Sequence, residues 1–328
     1  MCTLKDNKVR LLCSKIKNIV KRNTTRTVFE IYFRNFEKYS FRDCHCQSFE
    51  QFRASIIRLY HTIEKGLSYE NYRAGFGKNN IENLLVSLEQ YANKGYDTST
   101  FFYETALSCL YEYLRKNRVN GYEDRNLEER IRRLPGKANS CGGTITISVP
   151  NQTGNMNYEE LVLNRHSIRH FSQKPLDMDL LKSAINLAQF TPSACNRQGW
   201  RTIIITDKSK MEEILANQNG NSGFGQEFDK ILVITADLRA QQKEREIFQA
   251  FIDGGMYAES VINALYYKGI GSVPLSASLT KEQERNIRKI IRISDAEVLI
   301  LFVGIGNYPE ENFLAARSER EAARIEVI

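Results

Sequence analysis

The chain contains no run of 18 apolar residues, and no apolar stretch follows its basic N-terminal residues. Neither a membrane-spanning helix nor a secretory leader is therefore expected. No G-x-G-x-x-G opens a helix after a strand-like segment, so a Rossmann dinucleotide site is not signalled. Internal repeats and low-complexity tracts are also missing. The seven cysteines are odd in number and lack the regular spacing of a disulfide scaffold, which points to free thiols in a reducing, cytoplasmic setting. One cluster, Cys44-His45-Cys46, looks metal-like, but it has no second ligand pair at zinc spacing, so no metal is expected.

What is present is globular in composition. The chain is 328 residues long, 42% hydrophobic and 26% charged, which is enough for two domains with sizeable cores. Lys and Arg exceed Asp and Glu by 46 to 39, and much of that excess precedes residue 60. Such a balance fits an anionic ligand, an anionic surface or simply a solvated helix face. Solvated surface is the reading adopted, with no nucleic-acid partner.

Residues 1–135 read as a helical N-terminal domain or cap. Phe49, Phe52, Ile56, Leu59, Tyr60 and Ile63 recur at helical spacing, as do Ile81, Leu84, Leu85 and Leu88, and then Tyr103, Leu107, Leu110, Tyr111 and Leu114. A less regular helix is expected over Thr27 to Tyr39. His61 and Glu64 share a helix face, but a di-metal bundle would need that pair twice with further carboxylates. A polar contact near a helix end or domain interface is expected there, with Gly66 placed to end the helix. Residues 136–156, rich in Gly, Asn, Ser and Thr, read as a linker or an arm, and the ITISV within them as a short strand.

Beyond residue 157 the pattern alternates. Asp177 can cap a helix running to Phe190, and Asp207 a short one after the strand Trp200 to Thr206. Lys230 to Ala236 is a second strand and Glu244 to Lys268 a long helix. A turn at Val273-Pro274-Leu275-Ser276, a helix from Lys281, a strand Val298 to Val303 and a turn at Gly304-Ile305-Gly306 complete the domain. Apolar strands alternating with helices are covered on both faces, giving an α/β or α+β class with a central sheet.

Within this domain the stretch Asn164 to Arg201 carries two polar clusters joined by a helix. Arg165-His166-Ser167-Ile168-Arg169 can grip an anion, because two guanidiniums and a hydroxyl offer many donors. Pro192-Ser193-Ala194-Cys195-Asn196-Arg197-Gln198 supplies a proline-fixed turn with small polar side chains, suited to bringing backbone close to a flat polar ligand. Cys195 invites a redox role, yet no lysine or partner cysteine stands beside it, so a buried, inert thiol is expected.

Taken in order, these two motifs followed by Asp253-Gly254-Gly255-Met256, Gly269-Ile270-Gly271, Pro274-Leu275-Ser276, Val303-Gly304 and Arg317 make residues 157–328 resemble the FMN-dependent nitroreductase family. That resemblance implies an α+β fold, a central mixed sheet flanked by helices, and a homodimer holding two FMN molecules at its interface. Arg165 and Ser167 would hold phosphate and ribityl chain, with His166 between them, and Arg169 would sit at the pyrimidine edge of the flavin. Pro192, Ser193, Ala194, Asn196 and Gln198 would reach the flavin of the opposite subunit. Pro274, Leu275 and Ser276 would lie over the ring, and Arg317 would bind phosphate with Arg320 as its rival. Asp253-Gly254-Gly255 would let two helices approach closely.

The implied activity passes hydride from NAD(P)H through flavin N5 to a small organic acceptor, and no protein acid or base is nominated because the cofactor carries the chemistry. The physics agrees, since reduced flavin carries negative charge at N1 and O2 and a phosphate needs converging charge-assisted donors. Two departures stand out: Gly199 follows Gln198 where proline is frequent, and Ser276 replaces an acidic residue. Which of Asn217, Asn219 and Asn221 contacts flavin is open. Two alternatives remain: a specialised flavin dehydrogenase or oxidase acting on a peptide, saccharide or biosynthetic intermediate, and a non-catalytic interaction protein with a degenerate reductase-like half.

Overall fold

The apolar stripes of the N-terminal half close on one another as a helical bundle. A computed structural model describes residues 14–15, 25–40, 46–148, 156–241 and 246–328. Helix α1 (25–39) leaves its large apolar side chains, Phe29, Phe33 and Phe36 among them, exposed, and the bundle comprises α2 (Phe49–Leu67), α3 (Lys78–Asn93), α4 (Phe101–Val119) and α5 (Arg125–Arg133). Ser48 starts α2 with a reciprocal capping box to Gln51. Phe52, Ile56, Leu59 and Ile63 of α2 then pack with Leu84, Leu88, Tyr91, Phe102 and Leu110 in one core. Each such burial stabilises by about 1.5–3 kcal/mol relative to exposure.

Gly66 does not end α2, which continues to Leu67. A Cβ at Gly66 would lie 2.0 Å from the Phe76 ring, so the glycine is there for close packing. Cys44, His45, most of the basic residues before 25, residues 149–155 of the arm and Glu244 lie outside the described residues. Among the described residues no group of His, Cys, Asp and Glu could hold a metal, and no helix is long and apolar enough to cross a membrane.

The arm contributes β1 (Thr144–Ile147), which pairs antiparallel with β6 (Phe313–Ala316) near the C-terminus, and β6 lies against α2. Short α6 (Tyr158–Asn164) and α7 (Met178–Ala188) follow, the latter capped by Asp177 as expected. The central sheet has the order β2 (Trp200–Ile205), β3 (Lys230–Asp237), β5 (Glu297–Asn307), β4 (Ile270–Ser276). Around it lie α8 (Lys208–Asn217), α9 (Gln249–Tyr267) and α10 (Lys281–Ile291).

The α+β class holds, but every ladder among the described residues is antiparallel rather than mixed. The reason is in the connections: after α8, the loop 218–229 returns the chain to the end of the sheet it had left, and the segment after α10 does the same. Strand β3 shows why both faces are apolar. Ile231 and Val233 enter the core on one side, and Leu232 and Ile234 the core on the other.

Two expected turns are strand. Gly304-Ile305-Gly306 lies inside β5, because the Phe228 ring packs where a Gly304 side chain would be, 2.3 Å from a Cβ placed there. Val273-Pro274-Leu275-Ser276 is the end of β4, an edge strand of this sheet where proline costs no ladder bond. Gly254 likewise serves helix-on-sheet contact rather than helix–helix contact, since its Cβ would meet Ile300 of β5 at 2.7 Å.

Candidate functional site

The first cluster runs beside β4. Ile168 N donates to Ser272 O at 2.9 Å and Ser172 N to Asn307 O at 3.0 Å, while Ile168 and Phe171 are buried in the core. This anchoring leaves Arg165, Ser167 and Arg169 at alternate positions along one segment.

Arg165 closes α6, and its Nη1 is buried without a partner. Burial pulls its pKa down; Glu259 opposes this and Arg320 adds to it. His166 is pulled down by burial first, then by Arg165 and Arg320. Arg169 is buried deeply enough to fall to about 10, with Tyr69 and Glu64 partly opposing. Its Nη1 reaches only Ser167 O at 3.4 Å, and its Nε has no partner.

From the C-terminal segment, Arg317 N donates to Gly143 O at 3.1 Å, and its Nη2 reaches Thr144 O at 3.4 Å. The Nε of Arg317 is again buried and unpartnered. An unsatisfied buried donor costs about 1–3 kcal/mol, more when charged. Three guanidiniums thus carry such donors, two of them free of any ion pair among the described residues, and donors of this kind suit an anionic ligand.

The second cluster is built differently. Cys195, Asn196 and Gln198 all have positive φ, at 53°, 55° and 49°. This uncommon conformation is held from several sides. Ala194 N donates to both Asp253 oxygens at 3.3 Å, Arg197 Nε to Ala194 O at 2.9 Å, and Gln198 N to Ser193 Oγ at 3.0 Å. Arg197 also pairs with Glu246 at 2.8 Å, and Gln189 Nε2 donates to Gln198 Oε1 at 3.0 Å.

The left-handed turn drives Cys195 outward, so the thiol is exposed, contrary to the expected buried one. Pro192, Asn196 and Gln198 are exposed as well. This loop rests on α7 and α9, whereas Arg165 to Arg169 rest on β4; the two clusters are anchored separately within one chain. Phe190, Phe251, Ile252 and Met256 leave an exposed apolar face beside the loop.

Pro274 is half-buried, Leu275 buried and Ser276 exposed, beside the strand that holds Ile168. Ser276 O accepts from Gln218 Nε2 at 2.9 Å. None of the three asparagines is free for a ligand. Asn217 pairs with Asn286 at 3.0 Å, Asn219 donates to Ser278 O at 3.0 Å, and Asn221 donates to Leu215 O at 2.9 Å.

Residues absent from the expected set also reach this region. Lys65 of α2 and Tyr69 just beyond its end pack on the loop 218–224: Lys65 Nζ reaches Gly220 O at 3.3 Å and Tyr69 Oη donates to Ser222 O at 3.0 Å. A signal for this was legible, because Glu64 falls on the apolar stripe of α2 and is completely buried, which calls for a specific polar partner. It has two, Gly143 N at 3.2 Å and His61 Nδ1 at 3.4 Å, so the expected polar contact lies between the helical bundle and the arm.

With this geometry in place, residues 162–223 match the family profile described as the Nitroreductase family. The match and the relatives of the C-terminal half support an oxidoreductase enzyme, which carries an N-terminal helical region in addition. A protein of Archaeoglobus fulgidus provisionally named NADH dehydrogenase/NAD(P)H nitroreductase is 25% identical over 155 residues, 46% of this chain and 85% of that protein. The chloronitrobenzene nitroreductase of Comamonas testosteroni is 29% identical over 52 residues, 16% of this chain and 23% of that one. Among solved structures, an FMN-dependent nitroreductase of Clostridium difficile overlays with a TM-score of 0.41 at 19% identity, covering 46% of this chain and 87% of that one.

Proposed function

We propose that this nitroreductase-family chain is an FMN-dependent oxidoreductase that transfers hydride from NAD(P)H to a small organic acceptor and works as a homodimer. The observation that carries the reading is the set of buried, unpartnered guanidinium N–H groups on Arg165, Arg169 and Arg317. In this assignment Arg165 and Arg317 take the phosphate, with His166 and Arg320 adding positive charge, and Ser167 takes the ribityl chain. Arg169 faces the pyrimidine edge, where a fixed cation favours the reduced form. Pro274, Leu275 and Ser276 form one wall beside it.

FMN, when bound, supplies the two-electron hydride carrier. The protein orients it, holds the charge at its two ends and excludes water with buried side chains. Pro192, Ser193, Ala194, Asn196 and Gln198 are assigned to the site of the partner protomer, because their loop is anchored apart from Arg165 to Arg169 and borders the exposed apolar face of Phe251, Ile252 and Met256.

The purified protein is expected to be yellow, or to quench FMN fluorescence when supplied with it, at about one flavin per chain. A protein that takes up no FMN overturns the proposal. A second reading, a dehydrogenase or oxidase specialised for a larger substrate, is favoured by one feature. A cavity of about 630 Å³ opens between the helical bundle and residues 309–314, lined by Tyr69, Tyr72, Lys116 and His170. Flavin binding without NAD(P)H turnover of simple nitroaromatics or quinones supports it; rapid turnover of them overturns it.

A further inference from the structure

The last turns of α2 touch both ends of the candidate flavin site. At one end, Lys65 Nζ lies 5.6 Å from the centroid of the Phe224 ring, and the guanidinium carbon of Arg169 lies 5.7 Å from the same centroid. Two cations thus share one ring, and neither forms an ion pair among the described residues. A cation–π contact does not offset the burial of a second charge beside the first. Burial and the nearby Arg169 together pull Lys65 down to about 8, and the chain offers its ammonium the Gly220 carbonyl at 3.3 Å but no counter-ion among the described residues.

At the other end, His61 Nδ1 is 3.2 Å from Ser318 Oγ, the residue after Arg317. Glu64 Oε1 accepts from Gly143 N at 3.2 Å, and Gly143 O in turn accepts from Arg317 N at 3.1 Å. About two turns further back, Arg53 Nε donates to Glu321 Oε2 at 2.6 Å.

We infer that the appended helical bundle is part of the cofactor site. Lys65 is a second cation beside Arg169 at the pyrimidine edge of the flavin, and His61 and Glu64 are positioning residues for the Arg317 segment that takes the phosphate. The inference rests on the FMN reading above and adds to it a binding residue from outside the nitroreductase-family half. Charge complementarity supports the occupant: reduced flavin carries its negative charge at N1 and O2, a compact anion facing two donors, whereas a carboxylate from the chain would have already neutralised the pair. The arrangement also explains why Glu64 is buried on a helix face that is otherwise apolar. Its carboxylate ties the arm, and through Gly143 the strand β1 and Arg317, to the same helix that carries Lys65.

The test compares wild type with Lys65→Met and Lys65→Arg, all taken through FMN titration by fluorescence quenching and reduction in the presence of a reference dye. Far-UV circular dichroism confirms that each variant is folded. Lys65→Met is expected to bind FMN about tenfold more weakly and to prefer the reduced form about tenfold less than wild type. For a two-electron couple that preference is a midpoint potential lower by about 30 mV. Lys65→Arg is expected to restore most of both, which a merely structural lysine would not require. Unchanged affinity and potential in folded Lys65→Met overturn the assignment of Lys65 while leaving the FMN reading standing. Failure of wild type to bind FMN overturns both, and the two failures are told apart in the same titration.

Discussion

Arg169 gives the sharpest separation between a residue kept for stability and one kept for a ligand. Its guanidinium is pulled well below the ordinary arginine value, to about 10, mainly by burial. A shift of that size, at about 1.4 kcal/mol per unit, corresponds to a penalty on the order of 3 kcal/mol for keeping the charge in the ligand-free fold. The sign follows from linkage. The folded value lies below the unfolded one, so stability is lost as pH falls through the folded pKa near 10, and at pH 6–8 the whole penalty is present. Replacing Arg169 with Met, similar in length and apolar, removes the penalty and retains packing against Phe224.

Ligand-free Arg169→Met is therefore expected to be more stable than wild type by about 1–3 kcal/mol, the range allowing for incomplete burial and relaxation. The assay is urea unfolding at pH 7 with and without FMN. Saturating FMN at a hundredfold excess over Kd stabilises by about 2.7 kcal/mol, so the wild-type midpoint rises well above its ligand-free value while that of the variant barely moves. A ligand-free Arg169→Met that is less stable than wild type refutes the reasoning, since it means the guanidinium is already satisfied by the chain.

The other expectations follow from neighbouring groups. Lys65 sits near 8 without ligand, beside Arg169, which Tyr69 and Glu64 partly offset, so FMN affinity should be flat below that pH and fall by up to tenfold per unit above it, a slope that Lys65→Met abolishes in titrations across pH 7–9.5. Glu64→Ala strips the acceptor from Gly143 N and His61 and should lower ligand-free stability by about 1–3 kcal/mol in urea unfolding, with Glu64→Gln losing less. Phe251→Glu combined with Met256→Glu, both on the exposed apolar face, should convert a dimer to a monomer in light scattering and weaken FMN binding about tenfold or more; a monomer that binds FMN as wild type does counts against the shared site.

How much of this was legible in the chain depends on the range of the forces involved. The stripes of α2, α3 and α4 and the caps at Asp177 and Asp207 are local, and they form as their spacing requires. The arm strand Thr144–Ile147 was legible as a strand, but its partner β6 was not, because a pairing across so much chain leaves no local trace. Gly304-Ile305-Gly306 misled for the opposite reason. Local rules assign glycine pairs to turns, whereas here a distant ring, Phe228, demands the missing side chain. Cys195 misled because its exposure follows from a left-handed backbone imposed by Asp253 and Arg197, not from its own hydrophobicity.

The same distinction bears on what the helical bundle is for. A bundle attached only as a lid would meet the second domain through exchangeable surface, whereas this one meets it through a fully buried carboxylate, a histidine and an unpaired lysine. Buried polar contacts of that kind cost free energy unless every member is satisfied, so they persist where the geometry they enforce matters more than stability. Glu64 meets this condition through Gly143 and His61, whereas Lys65 has the Gly220 carbonyl but no counter-ion among the described residues, and Arg169 Nε has no partner. The incomplete half of the interface therefore lies where the flavin ring is assigned, and the complete half lies where the Arg317 segment must be held in place before any phosphate arrives.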